Sequence, residues 1–273
     1  MLKKRIIFTL LYDNGSFMLS RNFRLQKVGT IDWLQKNYDF SHIAFYIDEL
    51  IVLDVSRSER NIECFANVLK TLAKGCFAPI AAGGGIRKLN DARQLLRSGA
   101  DKIVLNSVLF DDPQFVTELS QEFGQQCVVG SIDLKKGEDE NYHIFTHNGV
   151  NLIHEYVVDL LEQLPGKSIG ELYLNSINQD GTGQGYDLKM LDLIPQKLNP
   201  PIILAGGAGH SKHLVNGLLD ERVDAVATAH LFNFVGDGLK KARDSVRLQD
   251  VDLAKWPPLS ELKSDLSMKG IDI

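Results

Sequence analysis

Short apolar runs rich in β-forming residues alternate along this chain with stretches of helical periodicity. The runs are RIIFTLL, ELIVLDV, FAPIAAGG, KIVLNSV, CVVGSID, ELYLNSI, PIILAGG and VDAVATA, eight in all. Between them, RNIECFANVLKTLAK sets Ile62, Phe65, Val68, Leu69 and Leu72 on one helical face. DDPQFVTELSQEFG opens with Asp112 as N-cap and Pro113 at the first helical position, and stops at Gly124. Parallel neighbours need helical crossovers, so eight strands alternating with helices predict an α/β fold, a (β/α)8 TIM barrel. A doubly wound open sheet is the competing arrangement.

An internal repeat favours the barrel. IDELIVL (47–53) matches IGELYLN (169–175), and PIAAGGGI from Pro79 matches PIILAGGAG from Pro201, both 122 positions apart. Two half-barrels of four β/α units each give a ring with twofold internal symmetry. No linker or low-complexity tract interrupts them. One barrel domain is therefore expected over 1–235, with a C-terminal extension over 236–273. In that extension Pro257 and Pro258 break a loop, and a short terminal helix is expected to pack on the barrel.

Composition narrows the partners. With 273 residues, 44% of them hydrophobic, the chain can bury a core of this size. A net charge of -5 leaves no basic footprint for nucleic acid, so small molecules or proteins are the expected partners. Cys64, Cys76 and Cys127, without C-x-x-C spacing, form neither a disulfide framework nor a zinc ribbon, and a reduced, cytoplasmic setting is expected. The apolar run near the start is only six residues long and ends before Asp13, too short for a secretion signal. No run approaches the ~18 apolar residues of a membrane span. His143 and His147 are four apart, but YHIFTHNG reads as strand and turn, so they share no helix face for a metal. Neither metal nor cofactor is expected, and no nucleophile elbow or Walker loop is present.

Candidate chemistry lies at the strand ends. Barrel active sites sit at the C-terminal ends of the strands, with phosphate on the loops after strands 7 and 8. AGGAG ends the seventh predicted strand and offers Gly206, Gly207 and Gly209. Its repeat mate GGGI ends the third and offers Gly84 and Gly85, followed by Asn106 and Ser107 after the fourth. Two glycine turns in symmetry-related places predict two phosphates on one long ligand, approached by backbone N–H groups. For either loop alone, a tight βα turn is the plain alternative. Asp133 ends CVVGSID, and the position 122 before it holds Leu11.

VVGSIDLKK, SINQDGTGQGYD, PIILAGGAG and GADKIVLNS together resemble the cyclase subunit of imidazole glycerol phosphate synthase, the HisF family of histidine biosynthesis. The resemblance runs from Leu2 to about Phe234 and resumes in ELKSDLSMKGIDI. It implies a barrel that takes ammonia from a separate glutaminase subunit. The ammonia would cleave and cyclise a bisphosphorylated ribulosyl formimino carboxamide ribotide. It also implies two aspartates in general acid and base roles. Asp133 is the second of them, and Leu11, which cannot exchange a proton, stands at the first. Asp180 is expected to assist; Asp54 lies nearby, and Asp13 is expected to fall outside the mouth. Further departures fall at Leu19, where the family has a lysine in a flexible first loop, at Asn178 in place of an acid, and at His230 beside the second phosphate loop.

The resemblance further implies that Arg5, Glu49, Lys102 and Glu171 close the bottom of the barrel as a ring of charges. Such charges are tolerable only if mutually paired, because an unpaired buried charge costs several kcal/mol. The ring reads either as a salt-bridge cluster or as a gate for ammonia from a glutaminase docked on the N-terminal face. Three functions follow as alternatives. One is a working cyclase subunit. Another is a diverged paralogue passing ammonia to a third, sugar-modifying amidotransferase of acetamidino-sugar and surface-polysaccharide synthesis. The last is a noncatalytic module that activates a glutaminase.

Overall fold

The computed structural model describes residues 3–37, 46–153, 156–164, 168–229 and 237–254. Its strands are β1 (Arg5–Asp13), β2 (Ser16–Arg21), β3 (Arg24–Gly29), β4 (Glu49–Asp54), β5 (Ile80–Gly83) and β6 (Lys102–Leu105). They continue with β7 (Val128–Lys136), β8 (Tyr142–Thr146), β9 (Asn151–Ile153), β10 (Glu171–Ser176), β11 (Ile202–Ala205) and β12 (Ala225–Thr228). The order β1-β4-β5-β6-β7-β10-β11-β12 closes on itself through β12–β1, all pairs parallel. This is a (β/α)8 barrel, and its eight strands are the eight apolar runs. The pairing of β10 with β7 completes a ring that an open sheet would leave broken.

Helices α1 (Ile31–Asn37), α2 (Ile62–Gly75), α3 (Leu89–Arg97), α4 (Val108–Asp111), α5 (Pro113–Phe123), α6 (Val157–Gln163), α7 (Ser211–Leu219) and α8 (Gly238–Arg247) lie outside the ring. α2 buries Phe65, Ala66, Leu69 and Leu72, the face its periodicity predicts. α5 begins as expected: the Asp112 side chain accepts from the Phe115 N–H at 3.1 Å, and Gly124 leaves the helix with φ of 93°. Between β10 and β11 the crossover is a 3-10 segment, Leu188–Leu193.

Alternation along each strand divides the core into two layers. Ile7, Ile51, Ala81, Val104, Val129, Tyr173, Ile203 and Ala225 fill the lumen, while Ile6, Phe8, Leu10, Leu50 and Val52 pack outward under the helices. Fully burying one such aliphatic side chain contributes about 1.5–3 kcal/mol. Three acids tie strand starts together. Asp48, Asp101 and Asp224 accept from the backbone N–H of Ile6, Ile80 and Ile202 at 2.8, 2.8 and 2.9 Å.

Two regions differ from the sequence expectation. The first loop, expected to be flexible around Leu19, is an antiparallel hairpin continuing β1: Leu11 pairs with Met18, and β2 pairs with β3. Asn14 and Gly15 make its turn with φ of 40° and 89°, the two-residue geometry that Asn-Gly favours. The highly charged start of the tail forms α8, which buries Leu239, Ala242, Val246 and also Arg243. The guanidinium of Arg243 grips Asp48 with two bonds of 2.7 and 2.8 Å and also donates to the Ala254 carbonyl. The predicted terminal helix lies outside the described residues.

Candidate functional site at the barrel mouth

At the C-terminal ends of the strands a cavity of about 560 Å³ opens, lined among others by Thr9, Leu11, Leu53, Asp54, Asn106, Ser107, Asp133, Tyr173, Asn175 and Asp180. Leu11 stands on β1 and Asp133 on β7, four strands away in either direction around the ring. Leu11 continues the inward row of Ile7 and Thr9 and pairs with Leu53 on β4. Leu11 and Leu53 thus place an apolar patch on that wall of the mouth.

Asp133 has the opposite surroundings. It is 8% exposed, and two amides hold its carboxylate: Asn175 Nδ2 donates to Oδ1 at 2.9 Å and Asn106 Nδ2 to Oδ2 at 3.1 Å. Burial raises the Asp133 carboxyl, the Asn175 hydrogen bond opposes, the negative Asp180 raises it further and Asn106 opposes; the balance lies at about 7. A carboxyl that titrates near neutrality can both give and take a proton, which suits general acid–base work.

Asp180 is committed to the hairpin. Its Oδ2 accepts from Ser20 Oγ at 2.5 Å and from the Phe23 N–H at 3.0 Å, and its carbonyl accepts from the Asn22 N–H at 2.9 Å. Burial raises its carboxyl against those donors. These bonds draw the β2–β3 tip across the mouth from β1 to the loop after β10. There Asn22 Nδ2 also donates to the carbonyls of Ile177 and Asn178 at 3.0 and 2.8 Å. The Asn178 side chain pairs with the Lys136 backbone, Oδ1 accepting at 2.7 Å and Nδ2 donating at 3.2 Å. Leu19 lines the cavity, whereas Asp13 ends β1 opposite Ser16 and does not.

The two glycine turns keep their symmetry at the backbone level. Gly84 and Gly85 have φ of 113° and 69°, and their repeat mates Gly206 and Gly207 have 87° and 106°. Close approach requires glycine as well: a Cβ on Gly84 would lie 2.1 Å from the Asp54 carbonyl oxygen, and one on Gly207 2.0 Å from that of Gly185. The neighbouring groups are partly engaged. Asn106 spends its amide on Asp133 and the Ser131 carbonyl; Ser107 Oγ accepts from the His147 N–H at 2.9 Å; the Gly209 N–H donates to His213 Nδ1 at 3.2 Å. His230 lies outside the described residues. His147 occupies the β8–β9 turn and His143 lies on β8, so the two are on different elements.

At the opposite end Arg5, Glu49, Lys102 and Glu171 close the base as one ring. Arg5 reaches Glu49 at 2.9 Å and Glu171 at 2.8 Å, and Lys102 reaches the same two at 2.9 and 2.8 Å. Burial works against the Arg5 charge, but Glu171 and Glu49 outweigh it and leave Arg5 raised. Glu49, at 2% exposure, is pushed up by burial against the pull of Lys102 and Arg5.

Sequence reasoning passed over two groups. Asn175, a polar residue at an inward strand-end position, holds the catalytic candidate, and only cross-strand register reveals it. The cavity also collects Arg21, Arg24, Arg57, Arg60 and Arg87 from three separate loops, within a chain whose net charge is negative.

Fold and site together define a (β/α)8 barrel with a closed ionic base and a mouth bearing paired glycine turns and the buried carboxyls of Asp54 and Asp133. A family model described as histidine biosynthesis protein matches residues 38–236. A protein of Parasynechococcus marenigrum (strain WH8102), which carries the provisional name imidazole glycerol phosphate synthase subunit hisF2, is 49% identical over 261 residues, 95% of this chain and 97% of that one. The chain belongs to the HisF-like imidazole glycerol phosphate synthase subunits within the histidine biosynthesis protein family.

Proposed function

We propose that this chain is the ammonia-accepting barrel subunit of a glutamine amidotransferase, diverged from the cyclase of histidine biosynthesis. A glutaminase docks on the face where the strands begin, and ammonia passes the Arg5–Glu49–Lys102–Glu171 ring into the lumen. At the mouth Asp133 remains as acid and base, with Asp180 assisting, and a phosphorylated small molecule is held by the glycine turns. The observation that carries the reading is the pairing of a complete ionic ring with Leu11 in place of the first acid. Exposed Phe77, Leu219 and Leu248, each where a helix ends and the chain enters or nears the base, support a protein partner on that face. No helix among the described residues is long and apolar enough to cross a membrane.

The acceptor of the ammonia is a third, sugar-modifying amidotransferase rather than this barrel's own ribotide substrate. The apolar wall of Leu11, Leu53 and Leu19 opposite Asp133 favours that outcome over a working cyclase, because cyclisation needs proton transfer at two places on a long substrate. The test is reconstitution with a glutaminase of the same source. The expected result is a stable complex in which the barrel stimulates glutamine hydrolysis and Lys102→Ala alters ammonia passage. Failure of the purified chain to form that complex would overturn the reading.

A further inference from the structure

The mouth carries more positive charge than its glycine turns require. Five arginines line the cavity against three aspartates, Asp54, Asp133 and Asp180. Two of the five have clear local work: Arg57 Nη2 donates to the Phe23 carbonyl at 2.5 Å, and Arg87 bonds Asp111 at 2.8 Å. Arg60 is different. Its guanidinium rests on the first glycine turn, so that a Cβ on Gly85 would lie 2.7 Å from Arg60 Cδ and 3.0 Å from Nη1. Its side chain is 33% exposed, and its only ionic neighbour among the described residues is Asp54 Oδ1, 3.8 Å from Nε and beyond hydrogen-bond reach. The donors of a partly desolvated guanidinium are thus left without a hydrogen-bonded partner in the described protein.

The symmetry-related turn lacks this feature. The position 122 beyond Arg60 is Thr182, whose hydroxyl donates back to the Gln179 carbonyl at 2.8 Å. A planar guanidinium matches the oxygens of a phosphate with two parallel hydrogen bonds, which an amide or hydroxyl cannot reproduce. Partial withdrawal from water strengthens the attraction.

The geometry points to Arg60 as the anion anchor of the mouth, seating the dianionic end of a phosphate monoester against Gly85 and making the first glycine turn the stronger of the two anion sites. This rests on the reading of the mouth as a phosphorylated-ligand site. The side of the barrel carrying β4, β5 and β6 then fixes which end of the ligand enters first, while the hairpin arginines Arg21 and Arg24 stand above it.

Titration calorimetry with inorganic phosphate and with ribose 5-phosphate tests the assignment on the full chain, with ribose as the uncharged control. Arg60→Gln should weaken both anions at least tenfold, Arg60→Lys should fall between, and Thr182→Ala should stay within twofold of the parent. Ribose should show no difference among the four proteins. Equal affinity in the parent and Arg60→Gln would overturn the assignment, as would no binding by the parent at tens of millimolar or a larger loss from Thr182→Ala. Complex formation between the parent chain and its glutaminase is read separately from these phosphate affinities. The anchor and the ammonia route can therefore fail independently.

Discussion

The two ends of the barrel follow different rules. At the base four side chains from β1, β4, β6 and β10 are joined by four ion pairs, so that removing any one leaves a desolvated charge behind. At the mouth, Leu11 sits in register with Leu53 and lines the cavity with a side chain that carries no charge and no hydrogen-bonding group. The base is held by the mutual dependence of four charges, whereas Leu11 at the mouth enters no ion pair or hydrogen bond through its side chain. With leucine at position 11 the barrel still closes, whereas it cannot lose one half of its ionic ring so cheaply.

The sharpest stability test lies just outside the ring. Arg243 and Asp48 are both 3% exposed and joined by two bonds, and Arg243→Ala should cost about 3–5 kcal/mol by leaving Asp48 charged and buried. Urea denaturation should show this as a lower midpoint with unchanged slope. Lys102→Ala should cost less, about 2 kcal/mol, because Arg5 still reaches both glutamates and the ring is partly solvated.

Asp133 should give the mouth a pH signature of its own. Its folded pKa of about 7 stands above the unfolded value of 3.8, so the folded state binds this proton more tightly. Its contribution is therefore fully present in acid, below about 4, and lost as pH rises toward and through 7, amounting to about 3–4 kcal/mol. Asp133→Asn should remove that slope, so its stability relative to the parent should rise between pH 4 and pH 8 in thermal melts. A parallel slope in both proteins would place the titration elsewhere.

The smallest effect is expected at the hairpin. Asp180→Ala removes the acceptor of Ser20 and of the Phe23 N–H and should cost about 1–2 kcal/mol. Hydrogen exchange should speed in β2 and β3 and stay unchanged in β10. Uniform protection would show that the strap over the mouth is held by other contacts.

Much of this was legible in the chain. All eight barrel strands follow from apolar runs, and the 122-residue repeat places Leu11 opposite Asp133 because β/α units count strands regardless of their helices. Asn14-Gly15 carried the signal of a tight hairpin turn, but the polar stretch after it reads as a loop until its pairing with β1 is seen. Burial of Arg243 was hidden, since GLKKARDSVR has the composition of a solvated face and the inward arginine is explained only by Asp48 and the Ala254 carbonyl. The grip of Asn175 and Asn106 on Asp133 depends on register between separate strands, which no local pattern encodes. Arg60 was likewise unremarkable in sequence, because its meaning comes from lying on Gly85.

The division between base and mouth is tested most directly at position 11. The purified parent and Leu11→Asp are supplied with ammonium salt and the ribotide bisphosphate, and cyclised product is followed over time. The parent is expected to turn over at or near background, consistent with the loss of a positioned acid or base worth about 10²- to 10⁴-fold. Leu11→Asp is expected to recover part of that rate, with glutamine hydrolysis in the reconstituted complex equal for both proteins. Efficient ammonia-dependent cyclisation by the parent, unimproved by Leu11→Asp, would contradict the division and mark this barrel as a working cyclase.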